Sequence, residues 1–342
     1  MSNKPTDVVG PTAPAQDGTT MRAVVQHSYG SADVLNVQHI ARPRPTKDQV
    51  LVRVHAAGLD RGTWHLMTGK PYLLRLAFGI RRPKNPVPGF DLAGTVTAVG
   101  PAVTRFAVGD QVYGFGQGSF AGYALARERK LAPKPANVSF EQAAVVPVSA
   151  GTALQAVVDV GRVQPGQRVL ITGASGGVGS YAVQMAKALG AEVTGVSSTA
   201  KLDLLRSLGA DHVIDYQRED FATGGHRYDV VLDIGGTPRL SRLRQVLTPT
   251  GTAVLVGGEE GGSWTGGLDR TARARTLSLF TRQRLTNFLA KQRSTDLERI
   301  TALIETNQVR PVVDTTYPLD RAPEAMRHLE EGRARGKVAI LV

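Results

Sequence analysis

The residues with the clearest capacity for chemistry in this sequence are small ones. Ile171-Thr172-Gly173-Ala174-Ser175-Gly176-Gly177-Val178-Gly179 follows a β-branched run and opens an apolar, helix-forming one. Backbone without bulky side chains can turn tightly there and bring the N–H groups of a helix start within reach of a pyrophosphate, whose charge the helix dipole also favours. The strict G-x-G-x-x-G pattern is not quite met: Ala174 holds the first place, with Gly173 just before it, while Gly176 and Gly179 hold the other two. Gly173, Ala174, Ser175, Gly176, Gly177, Val178 and Gly179 are therefore expected to line a dinucleotide cradle. About twenty residues on, a site for a free ribose 2′-hydroxyl would place Asp or Glu at a strand end. Here the strand ends Ser197-Ser198-Thr199-Ala200-Lys201. Hydroxyls and an ammonium are donors, which suits a 2′-phosphate, so Ser197, Ser198 and Lys201 predict NADPH over NADH. Ser and Thr also favour helix starts, and a simple N-cap is the other reading of this stretch.

Such a cradle needs a scaffold of alternating strands and helices. Arg168–Thr172 reads as a buried strand, Val178–Leu189 as a helix, Glu192–Ser197 as a strand and Ala200–Leu208 as a helix. His212–Asp215, Asp229–Asp233 and Thr252–Gly257 are further strands, the last two separated by a helix around Leu240–Leu247. This alternation predicts an α/β domain with a doubly wound parallel sheet. Gly235, Val256, Gly257 and Gly258 end the later strands on their carboxyl side, where open sheets hold dinucleotides. From Met21 to about Val145 the pattern differs, with short alternating or β-branched runs punctuated by Gly and Pro: Arg22–His27, Gln49–Ala56, Leu92–Val99, Gln111–Phe115 and Phe120–Leu125. These predict an all-β, barrel-like domain. From Pro311 the chain returns to strand, helix (Ala322–Glu331) and strand (Lys337–Val342), expected to fold back onto the first domain. The expected division is a flexible tail over 1–20, a barrel domain over 21–147, a nucleotide domain over 148–308 and a return segment over 309–342.

The chain has 342 residues, 42% of them hydrophobic, and no cysteine. That length suggests two domains, and the apolar content suffices for sizeable cores. Without cysteine there is no disulfide framework, thiolate zinc site, iron–sulfur cluster or Cys nucleophile. The longest uncharged stretches, between Glu141 and Asp159 and between Arg168 and Lys187, contain too many polar residues to span a bilayer. A soluble, cytoplasmic protein is expected. Its 41 Lys and Arg against 29 Asp and Glu give a formal charge of +12. Two acid-free segments carry as many basic residues as that excess: Lys70–Lys84 and Arg270–Arg293. Nucleic acid is not expected as a partner, because no helix-turn-helix, finger or RRM pattern accompanies the charge. Both segments interleave charge with large apolar residues at helix-like spacing, and the favoured reading is a solvated helix face or a subunit contact. A basic, apolar rim would also suit a lipophilic substrate with an acidic group, an acidic carrier, or an anionic membrane surface.

Several motifs in order carry a resemblance. Val54–Gly58 followed by Asp60, Val87-Pro88-Gly89-Phe90-Asp91-Leu92-Ala93-Gly94, Val108-Gly109-Asp110-Gln111-Val112, the Gly173–Gly179 loop, Gly209-Ala210-Asp211-His212-Val213-Ile214-Asp215-Tyr216 and Gly336-Lys337-Val338 are all present. From Met21 to Val342 the chain resembles the medium-chain dehydrogenase/reductase superfamily, and within it the zinc-free quinone oxidoreductase-like and enoyl reductase-like branch. The resemblance implies a GroES-like barrel, discontinuous in sequence, clasping a Rossmann domain with the active site between them. It also implies a homodimer and a hydride transfer from NADPH to a quinone or an activated C=C. Zinc-free alcohol/ketone interconversion, or a non-catalytic NADPH-binding role, are the alternatives.

Zinc-dependent members of that superfamily hold a catalytic metal with a Cys near the position of Asp60 and a His in a Gly-His-Glu motif. Here Gly89-Phe90-Asp91 stands in the latter place, and Phe90 cannot ligate. Zn²⁺ needs three or four convergent N, O or S ligands, so no zinc is expected. By resemblance the substrate, a small and lipophilic molecule, lies against Asp60, Trp64 and the loop that follows. His65 and Tyr72 are the candidate proton donors there, since imidazole titrates near neutrality and a phenol can donate at pH 7. Packing of the barrel mouth by Trp64 and His65, with Tyr72 capping a loop, is the alternative role. Thr152 resembles the family threonine beside the nicotinamide, and Tyr216 the family tyrosine near the adenine-side phosphate.

Overall fold

The computed structural model describes residues 19–235, 238–257 and 262–342. Most of the expected tail, up to residue 18, and Gly258 of the expected cradle lie outside them. The first half builds a barrel. β1 (Thr20–Val25) and β2 (Asn36–Ala41) form an antiparallel ribbon. β3 (Gln49–Leu59) leads to α1 (Arg61–Thr68) and the short α2 (Leu74–Phe78). β4 (Asp91–Val99), β5 (Gln111–Phe115), β6 (Tyr123–Arg127) and β7 (Leu131–Pro133) follow. α3 (Phe140–Ala144), opened by a reciprocal Ser139–Gln142 capping box, and α4 (Pro147–Leu154) carry the chain across to the second domain.

There β8 (Arg168–Thr172), α5 (Gly177–Ala188), β9 (Glu192–Ser197), α6 (Leu202–Ser207), β10 (His212–Asp215) and β11 (Tyr228–Asp233) alternate as expected. α7 (Leu240–Val246), β12 (Leu247–Leu255), α8 (Leu268–Leu279) and β13 (Arg284–Asn287) complete the layer. The six strands run parallel in the order β10-β9-β8-β11-β12-β13, so the chain reverses direction of growth between β8 and β11, where dinucleotides bind. Val169 and Ile171 pack on one face of the sheet and Leu170 on the other, all fully buried, which is why this strand reads as a continuous apolar run. α9 (Ser294–Glu305) leads back, and β14 (Val313–Pro318), α10 (Ala322–Glu330) and β15 (Lys337–Leu341) close the barrel sheet, ordered β14-β15-β3-β4-β5-β7 with β6 on β3.

α9 also ties the domains. Tyr113 of β5 donates its hydroxyl to the Leu297 carbonyl at 2.8 Å, and Gln155, just past α4, donates to the Lys291 carbonyl and to Asp296, each at 2.8 Å.

Two elements differ from the sequence expectation. The helix-like spacing of Arg270–Arg293 holds only through Leu279; the remainder forms β13, the sixth strand, because Leu285 can bury between exposed neighbours while the backbone completes a ladder with β12. The strand expected at Phe120–Leu125 starts at Tyr123, since Phe120 and Gly122 use their backbone on β1 instead: Val24 N–H donates to the Phe120 carbonyl and Gly122 N–H to that of Arg22.

Candidate active site

The cradle forms where β8 ends. Gly173 turns the chain with φ +65°, a conformation a side chain would strain, and lies against Gly235 at the end of β11, so close that a Cβ on Gly173 would meet the Gly235 nitrogen at 2.8 Å. Gly176 caps α5 in extended conformation, and Ala174 is buried, its N–H bonded to the Val196 carbonyl. Gly179 faces back on the turn: a Cβ there would stand 2.2 Å from the Gly173 carbonyl oxygen. The start of α5 thereby stays open to an anionic group, which the residues present fit. Val256 and Gly257 both donate their N–H groups to the Asp233 carbonyl, at 3.0 and 3.2 Å. The Asp233 side chain, fully buried, accepts from the Thr172 hydroxyl at 2.8 Å and from Arg270 at 2.5 Å. One of the charges in the second basic segment is thus bound to the strand-end acid rather than displayed.

At the end of β9, Ser197 donates its hydroxyl to Ser175 at 2.7 Å, stapling the strand end to the cradle. Ser198 precedes a single 3-10 turn, Thr199–Lys201, that opens α6. Lys201 donates to the carbonyls of Gly332 and Ala334, at 2.9 and 2.8 Å, and so bridges to the return segment. Its ammonium is pushed below the usual lysine value by burial, against the opposing pull of Asp314, with the charge of Arg335 adding to the burial effect. Arg335 therefore lies in the same neighbourhood, a cation that spacing along β9 could not reveal. Tyr216, 62% exposed, hangs its backbone N–H on the Ser197 carbonyl.

Across the cleft the barrel presents the ends of three adjacent strands. Gly58 of β3 pairs with Asp91 of β4, and Leu59 with Val338 of β15, so Asp60, Asp91 and Lys337 converge. All three are buried. Gly336 donates its N–H to the Ser175 carbonyl at 3.1 Å, and the stem of Lys337 lies against Gly177 at the start of α5. The Lys337 ammonium donates to the Leu59 carbonyl at 2.7 Å. Both Asp91 oxygens accept the Val148 N–H at the start of α4, each at 3.1 Å. Burial pushes the Asp91 carboxyl well above the usual carboxylate range and the Asp60 charge adds to it, while Lys337 and the Val148 N–H pull the other way. Thr152, one turn further along α4, donates its hydroxyl to the Val148 carbonyl at 2.7 Å. Asp91 and Lys337 were visible in the sequence only as parts of longer motifs. The signal that could have singled them out is charge inside otherwise apolar strand patterns.

The loop after β3 divides its candidates. Asp60 caps α1, accepting the Thr63 N–H at 2.8 Å through Oδ1. Its Oδ2 and the Trp64 indole N–H, one helical turn on, are both sealed from solvent with no hydrogen-bond partner. His65 donates from Nδ1 to the Lys70 carbonyl at 2.8 Å, so only a doubly protonated ring could also donate from Nε2. Tyr72 sits farther out: its N–H donates to the Ser263 carbonyl at 2.8 Å, and its ring meets Trp264 edge-on at 5.2 Å. The structure thus groups Asp60 and Trp64 with the strand ends and places Tyr72 on a bridge to the nucleotide domain. The donor set does not fit zinc. Asp60 already uses one oxygen, Phe90 offers no ligand atom, and the chain has no cysteine.

A parallel six-stranded sheet with a glycine cradle at its switch point, closed over by a discontinuous barrel, defines a nicotinamide-dependent oxidoreductase. The chain belongs to the medium-chain dehydrogenase/reductase superfamily, in its quinone oxidoreductase-like branch. Residues 46–136 match the alcohol dehydrogenase GroES-like domain, and residues 208–340 match the zinc-binding dehydrogenase family. The chain is 33% identical to a 2-methylene-furan-3-one reductase of Solanum lycopersicum over 335 residues, covering 94% of this chain and 79% of that one. It is 34% identical to a chloroplastic NADPH-dependent alkenal/one oxidoreductase of Arabidopsis thaliana, covering 97% and 82%. Among solved structures, the quinone oxidoreductase from Coxiella burnetii superimposes with a TM-score of 0.84 at 27% identity, covering 94% and 99%. The protein is an NAD(P)H-dependent oxidoreductase.

Proposed function

We propose that the protein is a zinc-independent reductase that takes NADPH and reduces a quinone or the activated C=C of an α,β-unsaturated carbonyl. The observation that carries this reading is the donor set facing the cradle: two carboxyl groups and a lysine, with Phe90 beside them and no cluster of metal ligands among the described residues. Alkoxide charge in alcohol/ketone chemistry would there depend on hydrogen bonds alone, whereas charge in a conjugated acceptor delocalises. The names of the tomato and Arabidopsis relatives support the same chemistry.

When bound, the nicotinamide supplies the hydride. Gly173 to Gly179 would hold the pyrophosphate through the N–H groups at the start of α5, and Gly235, Val256 and Gly257 would floor the switch point. Ser198, Lys201 and Arg335 offer donors and positive charge for a 2′-phosphate. Asp60 and Trp64 stand behind the place for the head of the substrate, their unpartnered Oδ2 and indole N–H sealed in the wall. His65, in its protonated form, or water is the proton source, and Tyr72 shapes the lip.

The test is a panel of quinones, enones, enals and ketones, following oxidation of NADPH and then of NADH. Turnover with enones or quinones and not with ketones is expected; turnover only with ketones, or none despite cofactor binding, overturns the reading. Lys201→Ala should weaken NADPH by about 1–3 kcal/mol and leave NADH nearly unchanged. Equal loss for both would assign Lys201 to holding the return segment alone. The reading includes a cytoplasmic location, to be checked by cell fractionation because the Arabidopsis relative is chloroplastic. It also includes a homodimer formed over the exposed apolar residues around β13.

A further inference from the structure

The barrel contains a cavity of about 560 Å³ whose described lining residues all belong to the barrel domain. Its volume is that of a site for a whole small molecule. Met21 of β1 and Ile40 and Ala41 of β2 line it, together with Leu66, Phe78, Val87, Phe90 and Leu125. Pro83, Pro86 and Pro88 add further apolar surface with no donor to offer.

Tyr29, Lys84, Gln26 and Asn85, four of the polar residues in these walls, are already engaged. The Tyr29 hydroxyl donates to the Gly79 carbonyl at 2.6 Å, and the Lys84 ammonium to that of Ala77 at 2.8 Å. Gln26 donates to the Ser28 and Met67 carbonyls, and Asn85 accepts the Val87 N–H at 3.1 Å. The backbone is committed too: the Pro86, Pro88, Gly89 and Phe90 carbonyls accept the N–H groups of Gln26, Phe120, Gly118 and Gly116 in turn. Apart from Gln117 and Tyr123 the lining has few groups left for a polar ligand, whose unmet groups would cost free energy that a hydrocarbon chain avoids. Position matters as much as lining. Phe90 is the chain neighbour of Asp91, whose carboxylate holds the first turn of α4, and Leu66 belongs to α1, which carries Asp60 and Trp64. The cavity therefore shares its walls with the elements that carry Asp60 and Asp91. Phe78 in its wall is 42% exposed, with the exposed Leu76 and Ile80 nearby, so apolar surface continues outward beside the exposed Arg81, Arg82 and Lys84.

We propose that this cavity binds a hydrocarbon chain, the tail of an enal, enone or quinone whose reactive head lies beside Asp60 and Asp91. The proposal rests on the reductase reading and adds to it the class of substrate: long-tailed rather than small.

Two measurements test it separately. In the first, straight-chain 2-alkenals of increasing length are reduced at saturating NADPH, and kcat/KM is expected to rise about fourfold per added CH₂ until the cavity is full. In the second, saturated primary alcohols of the same lengths, which have no reducible head, are bound at equilibrium and followed by tryptophan fluorescence, with the same dependence expected. Ile40→Phe, on the outer ribbon, and independently Leu125→Phe fill the cavity and should flatten both slopes. Thermal melting and NADPH binding report that each variant is folded. Slopes that are flat in the wild type, or that survive both filling variants, overturn the proposal. Absence of turnover with length-dependent, variant-sensitive alcohol binding would sink the reductase reading while leaving the hydrocarbon site standing.

Discussion

Asp91 illustrates what one residue type can mean in two contexts. In the sequence it follows Gly89-Phe90 and marks a motif; in the structure it is a fully buried carboxyl whose protonated form is favoured by burial and by Asp60. An acid with a raised pKa binds its proton more tightly in the folded than in the unfolded chain. Its contribution to stability is thus present below the ordinary carboxylate value and is lost as pH rises through the higher folded value. Asp91→Asn keeps an oxygen for the Val148 N–H and adds an amide donor beside the unpartnered Oδ2 of Asp60. The variant should melt at a higher temperature than wild type at about pH 8 and lose that advantage at about pH 4. An unchanged difference across that range would show that Asp91 titrates normally. At this scale the sequence was informative about backbone and reticent about charge. Gly173 and Gly179 were legible because only a missing side chain permits their contacts. The partners of Lys201 and Lys337 lie 131 and 278 residues away and leave no local trace.

At the scale of elements, the turn from β8 into α5 is the feature on which most else depends. Gly179→Ala would drive a methyl to within 2.2 Å of the Gly173 carbonyl and 2.7 Å of the Ala174 backbone, so the turn or the helix must move. The cost in stability should be about 1–3 kcal/mol, and NADPH affinity should fall at least about tenfold. Titration of the folded variant with NADPH checks this; wild-type affinity would mean the cradle does not hold the pyrophosphate. Strands buried on both faces, such as β8 and β11, were legible because their central residues, Val169–Ile171 and Val230–Leu232, are apolar without a break. β13 was not, because a four-residue edge strand with one buried side chain, Leu285, carries almost no periodic signal and gains its pairing only from β12.

For the whole molecule, the uneven charge turns out to be partly internal. Arg270 is tied to Asp233, Arg284 donates to the Val160 carbonyl, and Arg75 donates to Gly69 while lying over Tyr29 and Tyr72. The apolar residues between them are what remain outside: Leu279, Phe280 and Leu289 are 80%, 82% and 90% exposed around the edge strand β13. Ser278 of α8 occupies the outer edge of β13, bonding both the N–H and the carbonyl of Leu285, so what a second copy would cover here is this apolar side-chain surface. Sedimentation should give twice the mass of the chain, and Leu279→Glu together with Phe280→Glu should halve it. A monomeric wild type would leave that surface without the proposed role. The discontinuity of the barrel has a consequence in time. β3 is made early, yet its neighbour β15 comes last, bringing Lys337 to Leu59 across nearly the whole chain. The nucleotide domain is contiguous and can close while one edge of β3 is still bare, so on a ribosome the cofactor's half of the site is finished before the half that meets the substrate.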